Sequence, residues 1–241
     1  MVARMSSPAV TTERRDGVLI CHIDDGKANA LSKEIIAAIK QVILEAEADT
    51  EIAAVVLHGR NGKFCAGFDL SVMMGGDVAA VVDIVSDGGD LVRTAYGASV
   101  PVVAACTGHA LAAGALILLG CDLRIGADVD CKIGLNEVAL GMVLPDWALT
   151  IAVDRLSQRH LQQSVATARI TSAHGAAEAG FLDEVVASDD LLDVAVARAA
   201  EFASLDRRAY ARTIRKLRGE VLGAMESQVA ADRESGSGIS V

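Results

Sequence analysis

Residues 101–122, PVVAACTGHALAAGALILLGCD, join an apolar run containing Val102 and Val103 to a break at Thr107-Gly108 and then to small residues from Ala110 onward. The run through Cys106 suits a strand buried on both faces. The small residues after it open a helix whose first turn carries only Ala112, Ala113 and Gly114. The first N–H groups of a helix lack intrahelical partners and lie at the positive end of its dipole, so such an opening binds an anion or a developing oxyanion. No large side chain blocks the approach. Small residues at a strand–helix corner also serve close packing, and this stretch alone admits both readings.

A second glycine-bearing loop, FCAGFDL at 64–70, follows a strand pattern. Gly67 permits positive φ or close approach of a ligand to the peptide groups, whereas Phe64, Phe68 and Leu70 would equally plug the core of a βα connection. Farther on, LNEVALGMVLP at 135–145 sets one carboxylate, Glu137, in an apolar run behind Asn136. Desolvation there raises a carboxyl pKa, as a group exchanging protons near neutral pH requires. The alternative is a carboxylate capping its own helical turn. Asp146 and the single tryptophan, Trp147, come directly after Pro145.

Other chemistries find less support. Cys65 has no base partner in view, and His22, His58, His109, His160 and His174 are scattered without metal-ligand spacing. His109 reads as a core or supporting histidine. Neither a Ser-His-Asp order nor a P-loop or dinucleotide fingerprint is present.

The elements that must hold these groups follow from periodicity. A strand spans 18–23 and turns at Asp24-Asp25-Gly26; KANAL at 27–31 precedes Ser32 as a helix N-cap, with Ile35, Ile36, Ile39, Val42 and Ile43 on one helical face. A second strand spans 52–57. Helical spacing covers 78–96, with a break or kink expected at Gly88-Gly89. Residues 124–132 read as a strand edge and hairpin. The stretch 148–230 is helical apart from a short strand at 181–187, and Arg207, Arg208, Arg212, Arg215, Lys216 and Arg218 form a basic run that is ordinarily a solvated face.

Composition bounds the rest. A chain of 241 residues, 52% hydrophobic with three prolines, makes one globular domain or a domain with a small appendage. Its net charge of -10 argues against nucleic acid or an anionic membrane as partner. Residues 94–121 are uncharged and long enough to span a bilayer, but Pro101, Thr107, Gly108 and His109 interrupt them, so a buried strand and helix explain them better. Five cysteines without CxxC spacing read as reduced core residues, which places the protein in the cytoplasm. The N-terminus shows no apolar signal region, and the tail at 234–238 reads as a frayed end.

In order, KANAL, FCAGFDL, TGHALAAG with CDLRI, and NEVALGMVLP resemble the crotonase superfamily, the enoyl-CoA hydratase/isomerase family, to about residue 225. The resemblance implies an α/β fold: a crotonase-like spiral of ββα units over 1–188 and a helical C-terminal region over 189–241, assembled as a homotrimer or a dimer of trimers. It implies an acyl-CoA thioester as substrate, with coenzyme A belonging to that substrate, no other cofactor and no metal. The backbone N–H groups of Phe68 and Ala113 would form the oxyanion hole; the family usually has three glycines around the latter, and alanine keeps the N–H. Lys27, Ala28, Ala66, Asp69 and Leu70 would line the substrate path.

One departure bears on the reaction. Family hydratases carry two glutamates, of which the second aligns with Glu137 and the first with Leu116. Hydration needs water held between an acid and a base, whereas moving a double bond needs a single base. Asp146 is the nearest candidate for a second group at the substrate. The expectation is therefore isomerisation of 3-enoyl-CoA to 2-enoyl-CoA, with hydratase and non-catalytic acyl-CoA binder as alternatives.

Overall fold

Alternate residues of one strand feed two different cores: Leu19, Cys21 and Ile23 pack into the larger, Val18 and Ile20 into the smaller. That is why the stretch reads as an unbroken apolar run. The computed structural model describes residues 7–235. In chain order its elements are β1 (Val10–Arg15), β2 (Val18–Ile23), α1 (Lys33–Ala48), β3 (Ala54–Gly59), β4 (Gly62–Cys65), α2 (Leu70–Met73), α3 (Val78–Tyr96), β5 (Val102–Cys106) and β6 (Gly108–Leu111). There follow α4 (Ala113–Gly120), β7 (Leu123–Ala127), β8 (Ile133–Gly134), α5 (Asp146–Arg155), α6 (Gln158–Val165), α7 (Ala173–Ala179), β9 (Glu184–Val186), α8 (Leu191–Glu201) and α9 (Arg207–Ser235).

Six strands form one sheet in the order β1-β2-β3-β5-β7-β9, parallel except for the β1–β2 pair. One face of it lies under α8, whose Leu191, Ala195 and Val196 complete the smaller core. The other packs on α1, α3 and α4, with Ile39, Leu91 and Leu118 among the buried residues. A second, three-stranded parallel sheet, β4-β6-β8, stands apart from the first.

Local signals translate directly. Ser32 caps α1, its Oγ accepting from the Ile35 N–H at 3.3 Å, and the uncharged stretch 94–121 is buried strand and helix. Among the described residues no helix is long and apolar enough to cross a membrane. All five cysteines are buried free thiols.

Four expectations change. Residues 108–111 form β6 before α4 begins, because Gly108 lets this strand press against β4: a Cβ on it would lie 2.1 Å from the Gly62 carbonyl oxygen. Helix α3 runs uninterrupted through Gly88-Gly89, where neighbouring side chains occupy the space a Cβ would need. Residues 123–127 are an interior parallel strand between β5 and β9, with partners too remote in sequence to signal themselves. Two residues of the basic run turn inward from α9 instead of facing solvent, Arg207 onto the carbonyls of Ala46 and Glu47 and Arg218 onto Asp122. Of the tail read as frayed, 236–238 lie outside the described residues.

Candidate active site

Parallel strands deliver their carboxyl ends to one side, and ligands of such sheets bind in the crevice beyond those ends. Here β4, β6 and β8 hand on to residues 66–69, to Ala112-Ala113 and to residues 135–137. The three exits are tied together. Cys65 pairs with Ala110, the Ala112 N–H donates to the Gly134 carbonyl at 3.0 Å, and a Cβ on Gly67 would lie 3.2 Å from that of Ala112 and 3.8 Å from the Ala113 nitrogen.

Phe68 owes its orientation to Leu31. The Leu31 N–H donates to the Gly67 carbonyl at 2.8 Å and the Leu31 carbonyl accepts from the Asp69 N–H at 3.0 Å, so Phe68 sits between two bonds of a parallel bridge. Its own N–H faces the other way and meets no acceptor among the described residues. Gly67 makes this turn possible with φ of 99°, in the region glycine tolerates best.

Ala113 is the first residue of α4, and its N–H likewise has no acceptor among the described residues. Ala112 before it holds φ at 50°, an uncommon value for a residue with a side chain, fixed by its bond to Gly134 and by its carbonyl accepting from Leu116. Two free N–H groups thus come from adjoining corners.

Glu137 follows β8 by three residues and is only 8% exposed. Its carbonyl accepts from the Leu140 and Met142 N–H groups, but its carboxyl does not cap the turn it starts, which removes the capping alternative. Oε2 is buried without a hydrogen-bond partner, as is Oδ1 of Asn136. Burial pushes the Glu137 carboxyl up to about 7, opposed by its own backbone N–H.

The other anticipated residues fall in different settings. Lys27 is exposed, its carbonyl accepting from Arg60 at 2.7 Å, while the Ala28 carbonyl accepts from the exposed Ala66 at 3.2 Å. The 27–31 segment therefore borders the exit of β4. Asp69 caps α2, accepting from the Ser71 N–H at 2.8 Å, and Leu70 is 67% exposed. Leu116 is buried in the larger core. Asp146 is exposed on the first turn of α5 and makes no hydrogen bond or ion pair among the described residues. His109 accepts the Lys132 N–H at Nδ1, 2.9 Å away, in a supporting position on β6.

Asn29 was not anticipated. Fully buried with φ of 53°, it donates through Nδ2 to the carbonyls of Ile23 at 2.6 Å and Lys63 at 3.1 Å, and accepts the Asp25 N–H at Oδ1. It thereby pins the 27–31 turn to β4. An asparagine is the side chain best suited to a left-handed turn residue, which was the only signal available.

Chemically, two free N–H groups can hold a carbonyl oxygen as it gains negative charge, and a carboxyl near 7 can both take and return a proton. The enoyl-CoA hydratase/isomerase family pattern matches residues 13–237. Enoyl-CoA delta isomerase 1 of mouse mitochondria is 31% identical over 184 residues, which are 76% of this chain; the match spans 64% of the mouse protein's length. Among solved structures, an enoyl-CoA hydratase/isomerase family protein from Pseudomonas syringae superposes with a TM-score of 0.90 at 34% identity, over 94% of this chain and 97% of that one. Human mitochondrial delta3-delta2-enoyl-CoA isomerase superposes at 0.88 with 26% identity, over 94% and 89%. With two sheets, a long C-terminal helix and this agreement along nearly its whole length, the chain belongs to the enoyl-CoA hydratase/isomerase, or crotonase, family.

Proposed function

We propose that the protein converts 3-enoyl-CoA to 2-enoyl-CoA, with Glu137 as the single proton shuttle. The observation that carries the reading is the pairing of Glu137, a buried carboxyl with an unpartnered oxygen, with a leucine at 116, where hydration would ask for a second glutamate. The Glu137 carboxylate takes the proton from C2 of the substrate. The electron pair moves into a dienolate whose charge rests on the thioester oxygen, held by the Phe68 and Ala113 N–H groups. Glu137 then returns the proton to C4, leaving the double bond between C2 and C3. Each donor of this kind contributes about 3–4 kcal/mol to the transition state.

A carboxyl titrating near 7 suits both halves of this cycle, since the same group must act first as base and then as acid. Backbone groups of Lys27, Ala28 and Ala66, with Asp69 and Leu70 at the mouth, would receive the coenzyme and pantetheine portion. Leu116 would contribute an apolar wall beside the acyl chain, and Asp146, exposed on the first turn of α5, would take no part in the chemistry.

Mixing the protein with a 3-enoyl-CoA and following absorbance of the conjugated thioester tests the proposal. Turnover abolished by Glu137→Gln is the expected result. Faster water addition to crotonyl-CoA than isomerisation would replace it with a hydratase. Tight acyl-CoA binding without exchange of α-protons into deuterated water would leave only a binder.

A further inference from the structure

We infer that Gly88 is a positioning residue for the Phe68 amide, an assignment that rests on the oxyanion role proposed for that amide. Glycine is a poor residue for a helix interior, yet α3 passes through Gly88 without a break. The reason lies across the site. A Cβ on Gly88 would stand 2.4 Å from Cζ and 2.5 Å from Cε1 of Phe68, so the tip of that ring rests against the helix backbone itself. The helix has no room to retreat, because a Cβ on the next residue, Gly89, would stand 2.7 Å from Cγ2 of Val229 and 2.9 Å from Cε2 of Trp147.

Phe68 is thus held at both ends. Leu31 fixes its backbone through Gly67 and Asp69, and the notch at Gly88 fixes the far end of its ring. Between those two points the plane of the Gly67–Phe68 peptide has little freedom, and that plane sets where the N–H points. A methyl group in the notch would push the ring, and the ring would turn the amide. Leucine at 68 has no atom as far out as Cε1 or Cζ, so it would relieve the collision while keeping the N–H.

The test compares Gly88→Ala, Phe68→Leu, the double variant and Gly89→Ala for kcat and KM on a 3-enoyl-CoA. Gly88→Ala should lower kcat by about tenfold or more with KM shifted less, since an oxyanion donor acts chiefly in the transition state. The double variant should return to within about threefold of Phe68→Leu alone, and Phe68→Leu should not rescue Gly89→Ala. Wild-type kcat in folded Gly88→Ala, or a double variant more than about threefold slower than Phe68→Leu, overturns the assignment. Should Gly88→Ala fail to fold, a folded double variant at the Phe68→Leu rate supports it and an unfolded or slow one overturns it. A wild-type protein without isomerase turnover defeats the proposed reaction instead. The notch is then judged by the residue-68 amide resonance, which must move in Gly88→Ala and move back in the double variant relative to Phe68→Leu; an unmoved resonance overturns it.

Discussion

Gly114 meets the carbonyl of Cys65 so closely that a Cβ on it would lie 2.2 Å from that oxygen and 2.8 Å from the Cys65 Cβ. The start of α4 can reach the end of β4 only because residue 114 has no side chain. This contact brings the Ala113 corner beside the Gly67 corner. Gly114→Ala must force the two apart, and losing one oxyanion donor costs on the order of 100-fold in kcat. Ala113→Gly keeps the N–H and the spacing, so its kcat should stay within about threefold of wild type. Steady-state rates on a 3-enoyl-CoA check both, and an active Gly114→Ala would break the link between this contact and the site.

The raised carboxyl of Glu137 predicts two pH dependences. Proton abstraction needs the carboxylate, so kcat/KM should fall as pH drops below about 7 and level off above it. Stability should run the opposite way. The folded state binds the Glu137 proton more tightly than the unfolded chain, whose carboxyl keeps its ordinary value of 4.5, so this group's contribution worsens as pH rises from 4.5 to about 7. Above that window Glu137→Gln should stabilise the fold by roughly 3 kcal/mol at most, and near pH 4 by almost nothing. Urea midpoints of the two proteins across pH 4–9 would show it, and a constant difference would mean that the carboxyl is not buried in solution.

Sequence made β2, α1 and the candidate base Glu137 legible, because those signals are local. Val18 to Ile23 is a continuous apolar strand, Ser32 announces α1, and Glu137 stands out as a lone carboxylate in an apolar run. The small sheet was nearly invisible: β8 has two residues, and only its pairing to Ala110 and Leu111 makes it a strand. Gly88-Gly89 looked like a helix break because local propensity penalises glycine, whereas the decisive atoms belong to Phe68, Trp147 and Val229. For Asn29 the missing information was a set of carbonyls, one of them 34 residues away on Lys63. Within Ala112-Ala113-Gly114, sequence does not say which position needs glycine; the carbonyl of Cys65 does.

Asp146 is predicted to be dispensable for isomerisation. Exposed on the first turn of α5, it sits where an acidic residue complements the positive end of a helix, which explains its presence without chemistry. Asp146→Asn should leave kcat within about twofold of wild type. A loss of 100-fold in crotonyl-CoA hydration would instead make Asp146 the second carboxyl of a hydratase.

Arg218 holds α9 to the body of the protein. Its guanidinium donates to the Asp122 carboxylate at 2.8 Å and to the Tyr96 carbonyl at 2.8 Å, and lies 4.4 Å from the centre of the Tyr96 ring. Asp122 in turn accepts the Val102 N–H through its other oxygen at 2.8 Å, so one ion pair joins α9 to the start of β5 and the end of α3. Both side chains are largely withdrawn from water, at 8% and 13% exposure, and removing one partner of such a pair costs about 3–5 kcal/mol by stranding the other charge. Arg218→Ala should therefore lower the thermal midpoint by roughly 6–20 °C. Arg218→Lys should recover only part, since a lysine makes one point contact and stacks poorly on Tyr96. Pairing Arg218→Met with Asp122→Asn should restore most of the midpoint, because no buried charge is then left alone. If instead the double variant is as unstable as Arg218→Ala, the cost lies in lost packing along α9, and the ion pair is not its cause.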